Sequence, residues 1–351
     1  MSNKFIRLIA DFGKAGNATA WGKARSDVDR TLSDVGYEAK ELCYKKFTFP
    51  FTCKKVPVVS AAILASQIPF LKVNYGDTFI VQYPFPLSCI EQLIRKIHSR
   101  RGQIVFLIHD VNSLRWGKVN SKEVVWLNSA DHLIVHTEAM ASALKDIGVN
   151  TKMNVIHLFD YYSKDAMPKL EVTLARRSEI AFAGNLEKSK FLEPLMGHTF
   201  SNINIELYGL KGNRNLDGND HIHYQGVFNA DHTGAVKAGW GLVWDGDRLD
   251  KCSGILGNYL KVNASHKLSL YLACGMPVIV WKESALAAWL TNHHVALAIS
   301  SLDDLESEIA SVTDAEYKEM VIEARKLGNL LRNGELLKEQ LINTQTGDEA
   351  I

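Results

Sequence analysis

The sequence predicts an α/β protein of two doubly wound parallel-sheet domains, set in series and facing a cleft, and three observations predict it. The chain has 351 residues, more than one compact domain usually takes. Short uninterrupted apolar runs such as Ile104–Ile108 and Val278–Trp281 alternate with stripes of helical period along both halves. That is the pattern of strands covered on both faces by crossover helices. The alternation breaks between Asp160 and Arg177 and then restarts.

In chain order, the apolar run Phe5–Ala10 is the first strand, followed by a polar, Gly-containing turn over Asp11–Asn17. Ala20, Ala24, Val28, Leu32 and Val35 recur at helical spacing until Gly36 stops them. Val58–Ile68 reads as a buried helix, Thr78–Gln82 as a short strand, and Ile90, Leu93, Ile94 and Ile97 as a helical stripe. Ile104–Ile108 and His132–Val135 are strands, Glu138–Ile147 is a helix, and Met153–Ile156 closes the first set. Tyr161, Tyr162, Ser163, Lys164, Asp165 and Pro168 read as a linker. Strands then fall at Ile180–Ala183, Ile203–Tyr208, Ile222–Tyr224, Gly241–Trp244 and Val278–Trp281. Helices fall at Lys190–Leu195, Lys267–Cys274, Ala285–Leu290, Leu302–Ile309, Glu316–Leu327 and Glu335–Ile342. The domains are therefore 1–165 and 176–332, with a last helix and tail over 333–351. Ligands of such sheets sit at the carboxyl ends of strands and in the cleft between domains.

Composition narrows the function classes. Apolar residues are 46% and charged residues 23%, an ordinary globular balance, and the net charge of +1 gives no basic field for nucleic acid. Five scattered cysteines form no CxxC pair, which argues against a disulfide framework or zinc knuckle and for a reducing cytoplasm. Met1–Ala10 lacks the long apolar core and cleavage site of a secretory signal. Val56–Val73 is mostly apolar, but Pro57, Ser60, Ser66, Gln67, Pro69 and Lys72 interrupt it, so no membrane span is expected. A surface patch there, in peripheral contact with the inner face of a membrane, stays open.

Four segments carry candidate chemistry. Asn263, Ser265 and His266 precede a helix that ends at Cys274-Gly275. Its N-terminus offers N–H groups and partial positive charge to a diphosphate. Lys267, in the first turn, is opposed by the helix dipole by roughly 0.3–1 kcal/mol; a bound anion would offset that, or the lysine is simply solvated. Gly184-Asn185 with Lys188 follows a strand, as a ligand-facing turn or an ordinary one. In the first turn Gly13 and Gly16 are spaced GxxG, so the dinucleotide fingerprint is absent, and Asn17 and Thr19 either meet a ligand or cap a helix. His109-Asp110 ends a central strand. One of the pair is a candidate general base on a sugar hydroxyl; the alternative is a turn cap beside a core histidine. Asp245-Gly246-Asp247 is a DxD triplet, a hard-oxygen pair for a divalent ion, but further ligands are missing and Asp250 and Lys251 mark a solvated loop. His221, His223, His293 and His294 lack partners at metal-site spacing. No metal is expected.

Taken together, VFLIHDVNSLR (Val105–Arg115), FAGNLEKSKFL (Phe182–Leu192), GWGLVWDGD (Gly239–Asp247) and SHKLSLYLACGMPVIV (Ser265–Val280) resemble a family of GT-B glycosyltransferases. That family includes bacterial β-1,6-galactofuranosyltransferases and the streptococcal glucosyltransferase that extends serine-rich adhesin glycans. The resemblance implies two Rossmann-like domains, the first on the acceptor side and the second holding a UDP-sugar. It places the UDP contacts on Thr19, Lys188, Tyr224 and Lys267, with Lys standing at position 188 where that branch carries Arg. It implies a UDP-hexose donor as substrate, a glycan or glycoprotein acceptor that a lipid carrier could present, and no metal or other cofactor. Chemically, Lys267, Lys188 and the helix start at Ser265 would stabilise a departing diphosphate, with Asp110 as base if the product inverts. Two other classes stay in play: a nucleotide-sugar 2-epimerase, for which no assembled carboxylate–His set is visible, and a non-catalytic accessory subunit, against which the retained Lys188 and Lys267 argue. Pairing of the C-terminal helices into a homo-oligomer is left open.

Overall fold

The computed structural model describes residues 2–10, 20–44 and 57–346. The chain divides into two compact units, one built on Arg25–Ile156 and the other on His157–Leu336; the first turn of the first helix, up to Ala24, is counted in the second unit and the last residues, from Leu337, in the first.

The first unit runs β1 (Asn3–Ala10), α1 (Ala20–Asp34), β2 (Glu38–Tyr44), α2 (Pro57–Gln67), β3 (Thr78–Tyr83), α3 (Leu87–His98), β4 (Gln103–Ile108), α4 (Asn112–Arg115), α5 (Ser121–Asn128), β5 (His132–Val135), α6 (Glu138–Asp146) and β6 (Met153–Val155). Its six strands lie in the order β2-β1-β3-β4-β5-β6 and pair in parallel. β4 is buried from Ile104 to Ile108, as an apolar run covered on both faces must be. β2, which the pattern did not announce, is an edge strand of half-exposed polar residues with Leu42 facing the core.

The second unit runs α7 (Leu170–Leu174), β7 (Glu179–Ala183), α8 (Leu192–Met196), β8 (Asn204–Tyr208), β9 (Ile222–Gly226), β10 (Trp240–Val243), α9 (Gly254–Tyr259), α10 (His266–Ala273), β11 (Val278–Trp281), α11 (Ala287–Asn292), β12 (Ala296–Ile299), α12 (Leu305–Ser311) and α13 (Asp314–Arg332). α14 (Glu335–Thr346) follows. The strand order is β12-β11-β10-β7-β8-β9, again parallel throughout. The segment expected as a linker contains α7, and its start is already core: Tyr161 is buried at 2% and its N–H donates to the Leu331 carbonyl. The two units meet in the chain at Ile156 and His157.

In each sheet the chain lays strands to one side of its starting strand and then crosses to the other. In the second unit this topological switch lies between β7 and β10, where doubly wound sheets bind ligands. α10 covers it closely. Tyr271 is fully buried, receives the Ala183 N–H at 2.7 Å, and lies where a Cβ on Gly241 would come 2.0 Å from its ring. Glycine in β10 is what lets the helix approach the sheet.

At the end of β5, His136 is 2% exposed and its Nε2 lies 2.9 Å from the Ile108 carbonyl. Burial pushes its pKa from 6.5 down to about 4. The unfolded chain therefore takes up the extra proton first. His136 contributes full stability above about pH 6.5 and loses it as pH falls toward about 4, by about 3 kcal/mol in all. Denaturant midpoints between pH 7 and 4.5 should drop less steeply in His136→Gln than in wild type. Parallel slopes would exclude the effect.

Candidate functional site

The switch point of the second unit gathers three loops. Gly184 ends β7, Asp245 follows β10, and Lys267 stands in the first turn of α10. Lys267 lies one turn before the buried Tyr271, hence on the same helix face, so anchoring Tyr271 under the sheet aims Lys267 along the strand ends. Its Cε is 3.2 Å from where a Cβ on Gly184 would stand. Its Nζ sits 3.2 and 3.1 Å from the two Asp245 carboxylate oxygens, and 5.2 Å from the Phe182 ring centroid. Both side chains of the pair are largely sheltered, 18% and 20% exposed.

This pairing answers the electrostatic puzzle of a cation at a helix N-terminus. The anion beside Lys267 is Asp245, the first acid of the DxD triplet. Asp247, the second, accepts from the Ser253 hydroxyl. Among the described residues no three His, Cys, Asp or Glu side chains gather into a metal-sized cluster. The Ser265 side chain makes no capping bond to α10, and the buried Oδ1 of Asn263, just before it, has no hydrogen-bond partner among the described residues. With no side-chain cap at Ser265, the first-turn N–H groups of α10 are left open to an anionic ligand, whereas the Asn263 oxygen can only accept, as from a sugar or ribose hydroxyl.

Backbone hydrogen bonds pin the neighbouring strand ends. The Gly184 N–H donates to Tyr208 O at 2.9 Å, and the Gly209 N–H donates to Gly226 O at 2.8 Å. Gly209 has φ +132°, and a Cβ on it would stand 1.8 Å from the Gly184 carbonyl oxygen. Sequence reading missed Gly209; its only signal is a glycine directly after a strand. Tyr224, on the edge strand β9, donates its hydroxyl to Gly209 O at 3.0 Å and carries Lys211 Nζ 5.0 Å from its ring centroid. Asn185 and Lys188 are exposed; Asn185 Oδ1 accepts the Lys188 N–H at 3.1 Å, and the Lys188 ammonium has no partner among the described residues. The structure thus brings Gly184 and Lys267 together and leaves Lys188 in solvent on the adjoining turn. Asn17 and Thr19 lie outside the described residues.

In the first unit, His109 is buried at 9% and its Nε2 lies 2.6 Å from Gln82 Oε1, which places the ring proton on Nε2. That favours the core-histidine alternative over a free base. Asp110 is partly exposed and paired with Arg115 at 3.2 Å. The loop that carries it is held by Glu123, another residue the sequence did not mark. Glu123 is 1% exposed and accepts the Asn112 N–H at 3.0 Å, the Ser113 N–H at 2.6 Å and the Tyr83 hydroxyl at 2.9 Å. Beside this loop is a cavity of about 470 Å³ lined by Asn112, Asn120, Lys118 and the exposed Trp116. Burial pushes the thiols of Cys252 and Cys274 up to about 12, so neither is a thiolate nucleophile at neutral pH.

The chain matches the family model of the glucosyltransferase 3-like N-terminal domain over residues 7–158 and that of the corresponding C-terminal domain over 180–344. It is 30% identical over 272 residues to the beta-1,6-galactofuranosyltransferase WbbI of Escherichia coli (strain K12), spanning 76% of this chain and 78% of that one. It is 25% identical over 347 residues to glucosyltransferase 3 of Streptococcus gordonii, spanning 96% and 97%. Among solved structures, sucrose-phosphate synthase from Thermosynechococcus elongatus superposes with a TM-score of 0.62 over 99% of both chains at 12% identity. Alpha,alpha-trehalose 6-phosphate synthase from Burkholderia multivorans gives 0.60 over 99% of both, also at 12% identity. These last two show a shared fold.

Proposed function

This chain belongs to the glucosyltransferase 3-like family of glycosyltransferases, with the GT-B fold, and from that premise we propose that it transfers a hexose, glucose or galactofuranose, from a uridine diphosphate donor to a carbohydrate acceptor. The observation that carries the donor reading is Lys267, held at the switch point of the second unit over the start of α10. In the proposed step an acceptor hydroxyl oxygen forms a bond to the donor's anomeric carbon as the bond from that carbon to the diphosphate oxygen breaks. The electron pair leaves with UDP. Lys267 and the α10 N-terminus stabilise that added negative charge; Lys188, on the turn after β7, is the second cation. Asp110 is assigned the hydroxyl proton, and the cavity bearing Trp116 the acceptor sugar, whose apolar face an exposed indole suits.

Asp245 is assigned to positioning: it fixes the Lys267 ammonium before the donor arrives. In Asp245→Asn, kcat should fall about tenfold with the fold intact by circular dichroism, since small misplacements of a stabilising charge are costly. An unchanged kcat would remove that role.

None of the described helices is long and apolar enough to cross a membrane. The described cysteines, Cys43, Cys89, Cys252 and Cys274, are free thiols, which supports work in a reducing, cytoplasmic compartment. The donor is tested by incubating the protein with UDP-glucose or UDP-galactofuranose and a mixed glycan acceptor pool, with release of UDP measured. Acceptor-dependent UDP release from one of the two supports the reading. Release from neither, or conversion of the donor without acceptor, would overturn it.

A further inference from the structure

The second unit contains a polar cavity of about 410 Å³ on the face of its sheet, running along β8 from Asn204 to Tyr208, with neither Gly184 nor Lys267 in its lining. It begins at Glu179 and Asn204, the first residues of β7 and β8. By strand rise, Glu179 lies roughly 15 Å from the turn at Gly184.

Its composition departs from what the fold needs. β8 lies between β7 and β9 in a parallel sheet, where apolar residues are the rule on both faces. Here Ile205 and Leu207 fill one face, while Asn204, Glu206 and Tyr208 line the cavity on the other. Glu206 is only 8% exposed, and its Oε2 accepts from Gln225 Nε2 at 2.6 Å. Gln225 is the extra residue of a β-bulge: Leu207 pairs with Tyr224 and Tyr208 with Gly226, leaving Gln225 between them without a partner. Bulges of this kind redirect a side chain, and this one turns an amide onto a sheltered carboxylate.

The walls are fixed before any ligand arrives. Arg176 pairs with Glu179, and the Tyr208 hydroxyl bridges the backbone N–H and carbonyl of Lys237, each at 3.2 Å. The charged lining residues, Arg176, Lys237, Glu179 and Glu206, sum to zero, and three of the four already have partners. A balanced, preformed site rich in amide and carboxylate groups suits a neutral ligand with many hydroxyls rather than an anion or a metal ion.

We propose that this cavity binds a neutral saccharide, with Glu206 and Asn204 receiving and donating hydrogen bonds to its hydroxyls and Gln225 holding Glu206 in place. The site is independent of the donor reading and does not need transfer activity. It is tested on the full chain, saturated with UDP, by saturation-transfer NMR against the methyl glycosides of glucose, galactose and N-acetylglucosamine. At least one sugar should give a signal, and Glu206→Gln and Asn204→Ala should each weaken its affinity about tenfold with melting temperatures unchanged. Glu206→Gln preserves side-chain size, and Asn204→Ala shortens a half-buried residue at the start of β8, so one variant serves if the other misfolds. No signal from any of the three sugars would overturn the proposal. So would a signal that survives both variants and disappears in Trp116→Ala, which would assign the sugar to the first unit.

Discussion

Lys267→Ala should lower kcat by about a hundred- to thousandfold while leaving the melting temperature within a few degrees of wild type. The rate loss is that of removing one preorganised donor from a departing anion, roughly 3–4 kcal/mol. The small thermal effect follows from the surroundings. The Lys267–Asp245 pair is largely sheltered but keeps an 18–20% exposed edge, so the carboxylate left behind stays in contact with water. The Asp245 carboxylate left behind remains near the N-terminus of α10, where the helix dipole favours an anion. Steady-state kinetics and a thermal melt on the same preparation check both halves. Turnover within about threefold of wild type would refute the role of Lys267, since one such donor is worth far more.

Gly209→Ala should act in the opposite way, through the fold. At φ +132° an alanine is strained, and its Cβ would stand 1.8 Å from the Gly184 carbonyl oxygen, a backbone atom that cannot swing aside. Left-handed strain and overpacking together cost about 3 kcal/mol or more, a drop of roughly 10 °C in melting temperature. Gly184→Ala is the contrast. Its Cβ would meet only the flexible Cε of Lys267, at 3.2 Å, so stability should hold while activity falls severalfold as the ammonium is displaced. If Gly209→Ala melts like wild type, the pinning of these strand ends by close glycine contact is wrong.

The parallel strands were legible where both faces are covered, because burial then forces an unbroken apolar run, as in Ile104–Ile108 and Val278–Trp281. The edges were not. β2 reads Glu-Ala-Lys-Glu-Leu-Cys-Tyr, and β12 has four residues of which two are half-exposed, so neither carries the pattern of a central strand. Lys267 was half legible. Its unfavourable place on the helix dipole marked it as needing an anion, but the anion nearest in space, Asp245, is 22 residues away in the chain and read as part of a solvated loop. Glu123, Gly209 and the bulged Gln225 left almost no trace. Their roles depend on what stands opposite them in three dimensions, and a single sequence does not display that.

A structure of the protein with UDP bound tests the central claim most directly. The β-phosphate should lie at the carboxyl ends of β7 and β10, within about 3 Å of Lys267 Nζ, as a charge-assisted hydrogen bond requires, and against the first turn of α10. UDP seated elsewhere, with Lys267 still paired to Asp245 alone, would contradict it.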